Sequence, residues 1–103
     1  MSDVQRLLEH YVKGVQFPDV SGFEVLELLD VRSRLAELEN QLNTAQRTQL
    51  EEADGLFLDH APTFYESVAA IGDLSDIRRR ASVACSHWWW YLEKLASRQM
   101  THV

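Results

Sequence analysis

The scarcity of glycine and proline is the feature of this sequence that most constrains its fold. Only four glycines and two prolines occur in 103 residues, whereas a β-rich domain needs many turn residues between its short strands. Alternating strand patterns are absent. Apolar residues recur instead at three- and four-residue steps, which is the spacing of one helix face. The sequence therefore predicts an all-α protein.

This spacing predicts four main helices. They lie near residues 3–16, 22–42, 45–71 and 75–98, and the third is interrupted near Pro62, where the chain either kinks or restarts. Short connections place successive helices side by side in opposite directions. The predicted architecture is a single domain over residues 1–103, an antiparallel up-down helical bundle in which the second and third segments form a long central hairpin.

The boundary between the second and third segments has two interpretations. The repeat that runs from Leu28 to Leu42 loses its phase at Asn43-Thr44, and a new apolar stripe begins at Leu50. Either Asn43 caps a new helix after a tight turn, or one helix continues through a stutter in the repeat. We favour the turn, because Gln46 stands where it would complete a capping box with Asn43.

Composition and charge narrow the class of protein. Apolar residues make up 46% of the chain and charged residues 25%, which is typical of a soluble globular domain. The net charge of −6 disfavours non-specific binding to nucleic acid, which depends on neutralising phosphates. We expect neither a signal peptide nor a membrane-spanning segment, because no basic flank with an apolar run after it and no long apolar stretch occurs, and the single cysteine excludes an intramolecular disulfide. We therefore expect a cytoplasmic protein that binds neither membranes nor nucleic acid.

The run Trp88-Trp89-Trp90-Tyr91 is the most unusual part of the sequence. Successive residues of a helix point about 100° apart, so four neighbours cannot all face one core. Trp88 continues the apolar stripe of the last segment, whereas Trp89 and Trp90 point elsewhere. Either neighbouring helices cover the last helix on several sides, or these tryptophans form a partner surface or a flat ligand pocket.

Three arginines, Arg78, Arg79 and Arg80, stand near the start of the same predicted helix, where the positive end of the helix dipole disfavours them. Asp76 precedes Arg79 and Arg80 by three and four residues and offers local compensation. The run is either a solvated, salt-bridged face or a site for an anionic partner such as an acidic protein.

No catalytic or metal-binding pattern stands out. Neither Glu-x-x-His nor His-x-x-x-His occurs around His10, His60, His87 or His102, so we expect no metal and no other cofactor. Cys85 lies on the apolar stripe and is expected to be a buried thiol rather than a nucleophile.

The leading functional hypothesis is a non-enzymatic helical module for protein–protein interaction, acting as a small adaptor or as a homodimer. Its candidate partner-binding residues are Trp89, Trp90, Arg78, Arg79 and Arg80.

Two further hypotheses follow in order. The first is a binder of a flat apolar ligand or tetrapyrrole near the Trp88–Tyr91 cluster, with His87 and Phe57 lining the pocket. The second is an enzyme that uses Glu66, His60 or Asp59, and it is the weakest because no spacing pairs these groups.

Overall fold

The computed structural model of the protein describes residues 3–101, so His102 lies outside the described residues. Within that range the chain forms α-helices and 3₁₀ turns and no strand, which confirms the all-helical class. The six helices are α1 (Asp3–Gln16), α2 (Gly22–Glu37), α3 (Thr44–Asp59), α4 (Ala61–Ala69), α5 (Leu74–Ala81) and α6 (Leu92–Thr101).

The turn between α2 and α3 is the one that the sequence favours over a continuous helix. A 3₁₀ turn at Glu39–Gln41 follows α2. Asn43 then caps α3 by accepting a hydrogen bond from the backbone N–H of Gln46, whose side chain in turn accepts from the backbone N–H of Asn43. This reciprocal capping box satisfies two donors that a helix start leaves free.

The predicted third helix is two helices. α3 ends at Asp59 and α4 begins at Ala61, with Pro62 in its first turn. Proline is well tolerated there, because the first turn of a helix needs no hydrogen bond from its backbone nitrogen. The break falls at His60, close to the interruption expected near Pro62, and the chain restarts there rather than kinking.

The prediction of one continuous helix over residues 75–98 is wrong, because the chain leaves the helix in the middle of this range. α5 stops at Ala81, and Ser82 adopts a left-handed conformation with φ 54°. A segment without helical structure leads to a 3₁₀ turn at Trp88–Trp90, and α6 begins only at Leu92. The tryptophan run therefore lies in the connection between two helices and not on a helix.

Packing between the helices differs from a simple hairpin stack. α1 packs against both α2 and α3, α2 packs against α4, and α4 packs against α6. Gln5 bonds to Gln46 and Tyr11 bonds to Asp54, so α1 and α3 run in the same direction. The four-helix up-down bundle is not confirmed, since six helices form and α1 is the helix that contacts both α2 and α3.

Every α-helix contributes to one buried apolar cluster. Its most deeply buried side chains include Leu8, Val25, Phe57, Phe64 and Leu92. The axes of α2 and α4 approach closely at Gly22, where an added Cβ would lie 2.4 Å from the carbonyl oxygen of Ser67. This contact brings the start of α2 against the end of α4.

Candidate functional site

Two of the predicted binding residues, Trp89 and Trp90, are core residues of the folded chain. Their exposed fractions are 3% and 5%. Both indole nitrogens donate to the same acceptor, Oγ of Ser33 on α2, at 3.0 and 2.9 Å. Their burial agrees with the alternative in which neighbouring helices cover this part of the chain on several sides. The 100° helical spacing does not apply here, because the segment is a 3₁₀ turn and not part of a helix.

Ser33 also determines which ring nitrogen of His87 carries the hydrogen in the neutral imidazole. An indole N–H can only donate, so the two tryptophans occupy both lone pairs of the Ser33 hydroxyl. Its single O–H therefore donates to Nδ1 of His87, which lies 3.0 Å away. The neutral ring then carries its proton on Nε2, and it stacks on Trp89 with ring centroids 4.6 Å apart.

A buried ion pair lies beneath this cluster. Arg32 on α2 is 8% exposed and donates from Nε and Nη2 to the two carboxylate oxygens of Asp54 on α3, at 2.9 and 3.0 Å. Its guanidinium lies 4.2 Å from the ring centroid of Trp89. A buried arginine needs such a partner, because an unpaired charge in the interior is strongly unfavourable.

Tyr11 completes this network from α1. Its hydroxyl donates to Oδ1 of Asp54 at 2.6 Å. Burial raises the pKa of the Tyr11 phenol well above its usual value, and the neighbouring Asp54 carboxylate raises this pKa further. These hydrogen bonds and ring contacts join α1, α2, α3 and the tryptophan turn to one another. The polar cluster therefore has a structural role.

The three arginines have different surroundings. Because α5 ends at Ala81, all three stand in its last turn, where the helix dipole favours positive charge. The expectation that they oppose the dipole is therefore wrong. Arg78 donates to Glu93 at 2.8 Å and to the backbone oxygen of Trp90 at 3.0 Å, so it ties α5 to α6.

Arg79 and Arg80 face the solvent instead. Their side chains are 79% and 80% exposed, and both pair with the single carboxylate of Asp76 on the preceding turn. The positive charge of Arg79 also acts on the exposed Asp73 carboxyl at the start of the same helix, so acidic and basic groups are mixed on the exposed side of α5. Of the five predicted partner-binding residues, these two are the ones that solvent reaches freely.

An open groove lies beside the outer face of the tryptophan turn. It has a volume of about 530 Å³ and is lined by Cys85, Trp88, Tyr91, Lys94 and Leu95. Cys85 is exposed, which corrects its expected burial, because residue 85 lies in the connection after α5 and not on a helix stripe. We call these five residues the aromatic groove.

The pocket expected near Trp88, His87 and Phe57 has a different composition. Phe57 is fully buried and stacks on Phe64 at 5.3 Å, with the edge of Trp88 against it. It therefore belongs to the core and lines no opening. A second, smaller groove of about 380 Å³ reaches His87 and Trp88 from the side of α2.

The two most exposed large apolar side chains of the described residues are phenylalanines beside the connection between α1 and α2. Phe17 is 63% exposed, Phe23 is 70% exposed and Ile71 is 37% exposed. Phe17 and Phe23 flank the short connection between α1 and α2, and Gly22, next to Phe23, abuts the Ile71 side chain. We call Phe17, Phe23 and Ile71 the apolar end.

The apolar end was not predicted from the sequence, although the sequence carries a signal for Phe23. Phe23 stands four residues before Glu27 and seven before Asp30, which places it on the solvated face of the second helix. A large aromatic side chain on an otherwise charged face is the unusual observation.

Acidic groups surround the apolar end. Asp19 lies between the two phenylalanines, Glu24 follows Phe23, and Asp73 follows Ile71 by two residues, and all three are exposed. Hydrogen bonds from the Ser75 side chain and backbone lower the pKa of the Asp73 carboxyl. The nearby Lys13 lines a groove between α1 and α3.

The groups proposed for an enzyme lie at the junction of α3 and α4 and on α4. Asp59 and Glu66 are exposed on α3 and α4, and His60, at the junction, packs its ring edge against Phe64 at 6.3 Å. In the part of the chain that the structure describes, no three His, Cys, Asp or Glu side chains converge to hold a metal ion.

No helix within residues 3–101 is both long and apolar enough to cross a membrane. Comparison of the chain with models of protein families, with curated proteins and with solved structures finds no match.

Proposed function

We propose that this protein is a non-enzymatic module for protein–protein interaction that docks through its apolar end. The observation that carries the proposal is the exposure of two phenylalanines, Phe17 and Phe23, beside the exposed Ile71 at the same end of the molecule. Scattered single apolar residues are normal on a protein surface, whereas neighbouring large ones mark sites of interaction.

Energetics supports this assignment. Transferring a phenylalanine side chain from water to an apolar contact contributes roughly 1.5–3 kcal/mol. Phe17 and Phe23 stand on either side of the short connection between α1 and α2, so a partner surface that covers both gains two such contacts. Aromatic side chains also lose little conformational freedom on binding, since each has two rotatable side-chain bonds.

The acidic surroundings indicate the chemistry of the partner. Asp19, Glu24 and Asp73 carry negative charge beside the apolar end, so a surface that covers it favourably has basic residues around an apolar depression. The arrangement supports a protein partner of that kind. The exposed thiol of Cys85 fits the reducing cytoplasm, where we expect the module to act.

The proposal is tested by the double substitution Phe17→Ser and Phe23→Ser, with Leu58→Ser as a matched control. Leu58 is 36% exposed on α3, so its removal takes away an exposed apolar side chain outside the apolar end. We expect proteins that are chemically cross-linked to the wild-type chain in native lysate to be lost with the double variant and retained with L58S. Equal retention by both variants, each folded by circular dichroism, would refute the proposal.

A second candidate is the binding of a flat apolar ligand, and the aromatic groove is the observation that favours it. Its volume of about 530 Å³ falls within the range of small-molecule sites, roughly 300–1,000 Å³. Retention of a coloured or apolar compound through native purification, and its release by Leu95→Glu, would support this candidate. Purification of the wild-type chain without any such compound would count against it.

A further inference from the structure

The aromatic groove has the chemistry that complements the apolar end. Its floor is apolar and aromatic, formed by Trp88, Tyr91 and Leu95. Lys94 is exposed at the groove, and its ammonium lies 5.2 Å from the ring centroid of Tyr91. The Arg78 guanidinium contacts the same ring, at 4.0 Å.

Charge is distributed unequally along the chain, and the part that contains the aromatic groove has an excess of basic residues. Residues 78–103 contain Arg78, Arg79, Arg80, Lys94 and Arg98 but only one acidic residue, Glu93. Since Glu93 is bound by Arg78, the charged residue that lines the groove is the exposed Lys94. The apolar end, by contrast, has the exposed Asp19 and Glu24 beside its phenylalanines.

We propose that the partner of the apolar end is the aromatic groove of a second copy of this chain, so that copies associate head to tail. Phe17 and Phe23 of one copy lie against Trp88, Tyr91 and Leu95 of the next. Asp19 and Glu24 beside the phenylalanines then face Lys94 of the next copy. This inference rests on the proposed function and names the partner of that same surface.

A two-fold symmetric contact of the apolar end with itself is disfavoured by the same charges. In such a contact each acidic group meets the acidic groups of its symmetry mate, and like charges across an interface oppose association. A head-to-tail contact joins two different surfaces and leaves one of each free. It therefore continues to further copies unless the rotation between copies closes a ring.

The contact is small and depends on charge. One exposed aromatic pair on one shallow groove buries less than the roughly 1,200 Å² of specific stable interfaces, so we expect concentration-dependent association rather than a permanent oligomer. Exposed charges interact over about 10 Å at 0.1 M ionic strength, and this distance shortens as salt is added. Raising the salt concentration therefore shifts the copies toward monomer.

The test is sedimentation velocity of the full chain across a concentration series at low and high salt. We expect the weight-average mass of the wild-type chain to rise with concentration and to fall when salt is added. A wild-type chain that stays monomeric throughout the series would overturn the inference.

Two variants then separate the two surfaces. The end variant carries Phe17→Ser and Phe23→Ser, and the groove variant carries Cys85→Asp and Lys94→Glu, all at exposed positions. Each variant alone should remain monomeric. Their equal mixture should form a heterodimer, because the end variant keeps its groove and the groove variant keeps its apolar end.

Each alternative result has a distinct meaning. Absence of a heterodimer in the mixture, where the wild-type chain does associate, overturns the head-to-tail contact. A groove variant that associates like the wild-type chain does the same. If the wild-type chain is monomeric but the end variant loses a cross-linked partner in lysate, the self-association inference fails and the proposed function stands.

Discussion

Ser33 is the residue on which the packing of the tryptophan turn depends most. Its hydroxyl uses every hydrogen-bonding position, accepting from two indoles and donating to His87. Serine supplies this combination in a small volume, because one oxygen both donates and accepts. A side chain without a hydroxyl leaves the N–H groups of Trp89 and Trp90 unpaired in a mostly buried site.

We predict that Ser33→Ala lowers the free energy of unfolding by about 2–4 kcal/mol, since an unsatisfied buried donor costs about 1–3 kcal/mol. Ser67→Ala is the matched control, because the Ser67 hydroxyl donates only to Thr63 O of its own helix, and its effect should stay within about 0.5 kcal/mol. Urea unfolding followed by circular dichroism measures both. Equal costs for the two variants would contradict the hydrogen-bond pattern at Ser33.

Tyr11 gives the folded chain a defined response to alkaline pH. The raised pKa of its phenol keeps it protonated in the folded state, while in the unfolded chain tyrosine ionises near pH 10. Its contribution to stability is complete below pH 10 and is lost as pH rises above it, because the unfolded state alone then releases the proton.

We therefore predict that the wild-type chain loses about 1 kcal/mol more stability between pH 9 and pH 11 than Tyr11→Phe does. Comparing the two proteins removes the contributions of other groups that titrate in this range. Denaturant midpoints at each pH supply the measurement. The same slope in both proteins would show that the phenol is not held protonated by the fold.

At the scale of secondary structure, the boundaries with local chemical signals could be predicted from sequence. α1 ends before Phe17-Pro18, Ser21 caps α2 with Glu24, and Asn43 caps α3. In each case the side chain that marks the boundary also satisfies the local backbone. Apolar spacing likewise identified the helix faces that bury Leu28, Leu35 and Phe57.

The end of α5 has no such signal. Residues 81–86 contain neither glycine nor proline, and the apolar spacing continues in phase through Cys85 and Trp88. Docking of the tryptophan turn on α2 and α3 determines the break instead, through Ser33, Arg32 and Phe57. Such contacts between residues more than 30 positions apart cannot be read from local periodicity. For the same reason the sequence could not show that Trp89 is buried and Phe23 exposed.

Two helical glycines have opposite expected responses to alanine. At Gly55 an added Cβ meets nothing within 4 Å, so Gly55→Ala should raise the free energy of unfolding by up to about 1 kcal/mol through helix propensity. At Gly22 the added Cβ would lie 2.4 Å from the Ser67 carbonyl oxygen. Gly22→Ala should therefore push α2 from α4 and cost about 1–3 kcal/mol.

Thermal or urea unfolding of both alanine variants and of the wild-type chain measures the sign of each change in the free energy of unfolding. The close approach of α2 and α4 requires a loss of stability at position 22 and a gain at position 55. Stabilisation by both substitutions would mean that α2 and α4 are further apart than the structure places them.

At the scale of the whole molecule, the aromatic residues form a buried group and an exposed group. Five of them are buried between helices that belong to distant parts of the chain: Tyr11, Phe57, Phe64, Trp89 and Trp90. Phe17 and Phe23 contribute little to that core and remain exposed at one end. Charged neighbours differ between the two surfaces, with Asp19 and Glu24 beside the exposed phenylalanines and Lys94 at the aromatic groove. The molecule therefore presents two apolar surfaces whose neighbouring charges have opposite sign.

The grouping of all three tryptophans beside one groove has an optical consequence. The intrinsic emission of the protein originates from Trp88, Trp89 and Trp90 and reports on one side of the molecule. A molecule that fills the aromatic groove covers Trp88 and changes its emission spectrum, whereas one that covers the apolar end touches phenylalanines and leaves the spectrum as it was. The unlabelled chain thus carries its own indicator of which of its two surfaces is occupied.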